Sequence, residues 1–438
     1  MTDPASRRLA LEEPDPPHFR WNAPVFMLES ALFTVAMSFL GTTTILPSLI
    51  LKLSGSSVIV GLASGLQGGA WLLPQLLVAS AIAHKPRQTP IMRRWAWIGR
   101  PIFLLVAGIL WRWGLQLPGL ALAAVMGGVV VFFALDAVVS VPWFSVLAKT
   151  IPANRRGRLL GIGQMLGGLG GVGVGMVARY LLGEGSPLGF PENHALLLAA
   201  AAITFLISAI FLSAIREPEA AQSAENVPSV GAVLRSLPWI LAKDGHFVRL
   251  IIVRIIGGFA GLASSFYVLY ATRHLGLSDA AVGLFLSAQV VGSLVAGLVL
   301  GATQDRWGPL VNMRVLIVLS MVPPLLALSA APLQRAVGEG VLYLYLLLYF
   351  FLGIYASSAG WPFFNWILEY ADETRRPLYI GLLNTLGAAT MLAPTLGGWL
   401  VEALSYPAAF VAAILFALIA GALSLALPCT RRKGATGR

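Results

Sequence analysis

VPWFSVLAKTIPANRRGRLLGIGQ (141–164) returns as WPFFNWILEYADETRRPLYIGLLN (361–384), and this pairing decides the fold. Pro142 falls on Pro362, Arg155 and Arg156 on Arg375 and Arg376, and Gly161 on Gly381. A second pair lies upstream: LSGSSVIVGLASGLQGG (53–69) and LSDAAVGLFLSAQVVG (277–292) match Gly61 with Gly283 and Gln67 with Gln289. The displacement is 220 residues at Pro142 and 222 at Gly61. Two matches in register imply a duplicated unit. Parallel halves related by an axis along the membrane normal suit a carrier in which one bundle rocks against the other.

The surroundings of these segments are apolar. The chain is 57% hydrophobic and only 11% charged, with a mean hydropathy of +0.80. A water-exposed surface needs more charge than that, so lipid is the expected solvent. A helix needs about 20 residues to cross ~30 Å of hydrocarbon. Runs of that kind occur at 24–46, 57–81, 96–117, 121–147, 158–182, 194–214, 247–270, 280–301, 311–330, 340–369, 378–401 and 406–428. Backbone amides cannot stay unpaired in lipid, so these runs are read as helices.

Basic residues favour the cytoplasmic side. With the N-terminus inside, Lys52, Arg112, Arg179, Arg273 and Arg335 lie toward the outside and Arg254 falls within the seventh span; the other 24 of 30 Lys/Arg lie on or near cytoplasmic segments. Both termini are therefore expected in the cytoplasm, and the net charge of +11 is spread over loops. No zinc spacing or aromatic RNA-binding motif accompanies it, so no nucleic-acid partner is expected. Residues 1–23 lack an apolar core ahead of a cleavage site, and the first run is expected to remain as a span. The one cysteine, Cys429, excludes an internal disulfide and any multi-cysteine metal site. No G-x-x-x-x-G-K-[ST] loop supports direct ATP drive.

After the eighth span comes GATQDRWGPLVNMR (301–314). It resembles the loop motif of the major facilitator superfamily, with Gly301, Asp305, Arg306, Gly308 and Arg314 in its fixed places. The resemblance implies twelve helices in two six-helix bundles. It also implies a conformational latch in which Asp305 caps or pairs with a neighbouring helix end. Independently of it, Gly308 permits a tight turn. The first half departs from the motif: in ASAIAHKPRQTPIMRR (79–94), Ala83 stands in the aspartate's place and His84 in the arginine's. The latch there is expected to be weaker or built differently.

Small residues recur at four-residue spacing as Gly163, Gly167, Gly171 and Gly175, as Gly61, Gly65 and Gly69, and as Ser293, Gly297 and Gly301. Such faces let helices approach closely in a membrane. The resemblance assigns them to the second–eleventh and fifth–eighth contacts across a moving boundary; static packing explains them nearly as well.

Intramembrane charges are costly unless paired or facing water. Asp136 lies in the fourth span, Glu29 in the first turns of the first, and Arg254 in the seventh. Asp136 reads as a proton- or cation-binding carboxylate and Glu29 as a second coupling acid; the alternatives are a structural pair for Asp136 and simple reach to the interface for Glu29. Arg254 reads as an anchor for an anionic group or as a counter-ion. In the aromatic tenth span, Tyr355, Trp361 and Asn365 are candidate substrate contacts beside Arg254. Gln289 joins them, though it could equally bridge helices.

The expected protein is an all-α polytopic membrane protein of twelve transmembrane helices in two bundles with pseudo-twofold symmetry. Its parts are a tail (1–23), a first bundle (24–214), a linker with a short amphipathic helix (215–246), a second bundle (247–428) and a basic tail (429–438). Its expected activity is secondary active transport of a small organic solute by alternating access, driven by protons or another coupling ion, as a monomer among lipids in the plasma or inner membrane. No cofactor or metal is expected. A non-transporting receptor that keeps the fold is the competing reading. The five histidines are scattered over the loops, which argues against an enzyme.

Overall fold

The computed structural model describes residues 16–82, 85–218, 231, 242–371 and 376–430, and among these every regular element is helical. The first half comprises α1 (Phe19–Leu40), α2 (Ile45–Ser54), α3 (Ser57–Ile82), α4 (Thr89–Gly99), α5 (Ile102–Trp113), α6 (Pro118–Thr150), α7 (Ala153–Leu182) and α8 (Glu192–Ala214). The second comprises α9 (Gly245–Phe259), α10 (Tyr267–Arg273), α11 (Ala280–Trp307), α12 (Pro309–Ser320), α13 (Val322–Val337), α14 (Val341–Ser358), α15 (Trp361–Tyr370), α16 (Arg376–Gly387), α17 (Leu392–Ala403) and α18 (Tyr406–Ser424). Most of the expected linker helix lies outside the described residues, as do Ala83, His84 and the basic tail Arg431, Arg432 and Lys433.

Among the described residues ten stretches are long and apolar enough to cross a membrane, so the chain is a multi-pass membrane protein. One of them, Pro309–Tyr370, has 62 residues, far more than one crossing needs. It is interrupted at Gly338–Gly340, where Gly338 adopts a φ of 57°. The run expected at 96–117 is not among the ten. Arg100 and Pro101 divide it into α4 and α5, because proline supplies no amide hydrogen to carry a helix through.

The repeat seen in sequence becomes the joint between the halves. A Cβ on Gly61 of α3 would overlap the Pro394 carbonyl of α17, and one on Gly398 would overlap the Ser57 carbonyl. The mirror-image contact is Gly283 of α11, which lies against the backbone of Gly175 and Arg179 on α7. Backbones this close require glycine. The remaining small residues follow expectation only in part. Gly163 and Gly167 face Ser30, Ala31 and Thr34 of α1, within the first bundle, Gly171 meets both Ser38 of α1 and Val290 of α11, as expected for the contact between halves, and Gly297 and Gly301 meet nothing within 4 Å.

The buried core shows where the halves meet. At the end away from the termini, one cluster runs through both bundles, from Leu40, Phe132 and Phe205 to Tyr267, Phe285 and Phe410. Toward the termini it separates. Phe26, Met92, Val146 and Ile215 pack within the first bundle, and Phe247, Met313, Trp366 and Leu427 pack within the second.

Candidate functional site

Between described residues, the hydrogen bonds and ion pairs joining the halves all lie at the far end. Lys52 Nζ is 2.5 Å from Asp279 Oδ2. Glu402 Oε1 accepts from Ser56 Oγ at 2.7 Å and from the Val58 amide at 3.0 Å, so it caps the first turn of a helix in the opposite bundle. Deeper in, Ser64 Oγ and Ser265 Oγ are 2.8 Å apart, and Thr43 Oγ1 donates to Gln289 Oε1 at 2.7 Å. Gln289 therefore bridges the halves within this closed end, with its carbonyl against Gly353 of α14.

In the first half, α6 places Asp136, Ser140 and Trp143 at helical spacing on one face. Trp143 Nε1 donates to Glu29 Oε2 at 3.0 Å. Glu29 Oε1 also takes Arg100 Nη2 at 2.7 Å and Ser208 Oγ at 3.2 Å. Arg100 Nη1 reaches Ser208 Oγ and the Phe205 carbonyl. Glu29 is 3% exposed and Arg100 4%, so Glu29 does not reach the interface but sits in a buried, fully bonded ion pair. Sequence reasoning grouped Arg100 with the loop cations. Its position inside the expected 96–117 span was the signal that marks it as an intramembrane charge. Asp136 has a sparser environment: Trp71 Nε1 donates to its Oδ2 at 3.2 Å, and the charges acting on it are Arg100 and Glu29.

The second half is built around the break between α14 and α15. Pro362 lacks an amide hydrogen, and Ala359–Gly360 leave the helix just before it. Arg254 Nη1 of α9 donates to the exposed Ala359 carbonyl at 3.1 Å. Its guanidinium carbon lies 5.2 Å from the Phe363 ring centroid, and Tyr355 OH donates to Gly257 O at 3.3 Å. Arg254, Tyr355 and Phe363 are thus brought together. Among the described residues no carboxylate pairs with Arg254. On the opposite side of α15 from Phe363, Trp361 is 58% exposed and Asn365 is half-buried.

At the terminal end, Gly308 makes the turn between α11 and α12 with a φ of 84°. Asp305 and Arg306 occupy the last turn of α11, with Arg306 over Trp307. Arg314 Nη2 donates to the Ser424 carbonyl at 3.0 Å, tying this hairpin to α18. In the first half the carboxylate comes from elsewhere in the chain. Glu217 Oε2 accepts from the Gln88 and Thr89 amides, each at 2.8 Å, and from the Thr89 hydroxyl, while Oε1 takes Lys149 Nζ at 2.9 Å. Burial alone would raise the Glu217 pKa, but these bonds outweigh it and hold the carboxyl below its ordinary range.

Residues 250–437 match the family model of the Major Facilitator Superfamily. No curated protein sequence matches the chain. The nucleoside transporter NupG shares its fold at a TM-score of 0.65 and 14% identity, covering 93% of this chain and 98% of the other. A D-xylose–proton symporter does so at 0.64 and 15%, covering 93% and 98%. A bacterial homologue of the iron transporter ferroportin, in an inward-facing state, aligns at 0.65 and 14%, covering 94% and 99%.

Proposed function

We propose, from a major facilitator match over the second half and a shared fold over the whole, that this chain is a secondary carrier of a small organic solute. On this reading the chain crosses the membrane twelve times, with α4–α5 as one crossing and Pro309–Tyr370 as two. Both termini are cytoplasmic, so the closed far end faces outside and the cavity opens inward. The observation that carries the reading is the core, continuous across the halves at one end and split into separate clusters at the other. That is what two bundles rocking about a central site require.

Asp136 is the coupling carboxylate. It lies in the membrane with one donor, Trp71, whereas Glu29 is consumed by Arg100. Gain or loss of a proton at Asp136 changes the charge on the first-half wall of the cavity. The xylose neighbour is a proton symporter by name, which favours protons over another ion. Arg254, Tyr355, Trp361 and Asn365 form the opposite wall and contact the solute. The 301–314 hairpin and the Glu217 staple shape the ends that close on the cytoplasmic side.

The test uses purified protein in liposomes with an imposed pH gradient, reading gradient-driven solute accumulation or expulsion. Asp136→Asn should abolish the dependence on the gradient while leaving solute binding measurable. Coupling that survives this substitution removes Asp136 from the account.

A further inference from the structure

Arg100 and Arg254 are both arginines inside the membrane-spanning region, and they are treated in opposite ways. Arg100 spends its donors on Glu29, Ser208 and the Phe205 carbonyl. Among the described residues Arg254 has one hydrogen bond, to Ala359 O, out of the five a guanidinium can donate. The ring that Arg254 lies against, Phe363, corresponds at the 220-residue displacement to Trp143, which donates to Glu29. In the first half the group beside that ring is an acid already paired with Arg100. In the second it is a cation that no acid among the described residues pairs with. An intramembrane charge left so needs an anion or water to offset its burial.

We infer that the solute of this carrier is an amphiphilic organic anion whose carboxylate or sulfonate binds Arg254. Its ring lies against Tyr355 and Phe363, the two rings beside that guanidinium. This rests on the carrier reading given above. The chemistry on each side agrees. A planar guanidinium presents two parallel N–H groups that match the two oxygens of a carboxylate. Gly387 lies beside the Arg254 Nε, where a Cβ would come to an ordinary contact of 3.8 Å. Around it, α14 and α15 offer rings and few hydrogen-bonding groups, a surface suited to an apolar body carrying one charged head. A cationic solute would meet Arg254 as a like charge. A sugar would find hydroxyls at Tyr355, Ser357 and Ser358 that are already bonded to Gly257 O, to Ile354 O and to each other.

A matched set of probes separates these cases: cinnamate, cinnamamide and cinnamylamine, with benzenesulfonate as a second anion. With detergent-purified full-length protein, cinnamate or benzenesulfonate at millimolar concentration should raise the thermal unfolding midpoint, and the amide and amine should not. Arg254→Gln should weaken anion binding about tenfold to a hundredfold, the share a charge-assisted hydrogen-bond pair carries. Arg254→Lys should retain part of it, because it keeps the charge but not the fork. If Arg254→Gln does not fold, the lysine variant carries the comparison, with several-fold weaker cinnamate binding expected. Stabilisation by the amide or amine equal to that by cinnamate, no stabilisation by either anion, or anion binding indifferent to Arg254 would each overturn the inference. Labelled cinnamate flux in proteoliposomes separates the two readings. Arg254-dependent binding without flux defeats the carrier and leaves the anion site; flux of neutral solutes indifferent to Arg254 does the reverse.

Discussion

The two halves share a backbone plan and differ in how they handle charge. In the first, Trp143, Glu29, Arg100 and Ser208 form a closed network with the ion pair at 2.7 Å. In the second, the corresponding ring is Phe363, which cannot donate, and against it lies Arg254, which pairs with no acid among the described residues. The uninterrupted α6 carries the first arrangement. In the second half the same proline position coincides with a helix break that exposes a carbonyl to Arg254. The difference teaches that a duplicated scaffold can keep one copy as a rigid, self-satisfied wall and leave the other with a charge available to a ligand.

The largest effect should come from opening the closed network. Arg100→Leu or Glu29→Leu leaves a buried charge unpaired and should cost about 3–5 kcal/mol, while the double replacement recovers most of it. Thermal unfolding of the singles and the double measures this; Arg254→Leu, which breaks no pair, should cost less. If Arg254→Leu proves as damaging as Arg100→Leu, the asymmetry is not real.

Next comes the joint itself. Gly61→Val or Gly283→Val forces side-chain atoms into the opposite backbone and should oppose far-end closure by about 1–3 kcal/mol. Cross-linking yield across the far end should fall in both variants.

Glu217→Gln removes the charge from the cap on α4 and should cost about 0.5–2 kcal/mol. Because the folded pKa of Glu217 is depressed, its contribution is present above the unfolded carboxylate range and disappears as pH falls through the folded value. The gap in melting temperature between wild type and variant should therefore be full at neutral pH and close on acidification. A gap that widens in acid contradicts the assignment. Smallest is Lys52→Ala: that ion pair is partly exposed, at 29% and 38% for its partners, and is worth about 0–1 kcal/mol, weakening with salt.

Much of this was legible from the residues. Period and register exposed the duplication, and Gly61 and Gly283 of that repeat proved to be contacts between halves, while Gly161 meets nothing within 4 Å. The positive-φ turn at Gly308 was also readable, since the motif demands it. The pairing of Glu29 with Arg100 was not, because residues 71 positions apart meet only through the packing of α1, α4 and α8. Glu217 was equally hidden. Nothing in 79–94 shows that its missing acid is replaced by one from beyond α8. The run of small residues at 163–171 was readable only in part: spacing shows that a helix face is small, while Gly163 and Gly167 meet α1 and Gly171 meets α11 as well.

The central claim is that the halves alternate about a site between them. It is tested most directly by electron–electron distances in a variant with Cys429 replaced. One spin-label pair sits at Gln116 and Arg335 on the far end and another at Arg158 and Ala302 on the terminal end. The account predicts a reciprocal change: Gly283→Val should lengthen the first distance and shorten the second relative to the parent. Both distances unchanged, or both lengthened together, would contradict it.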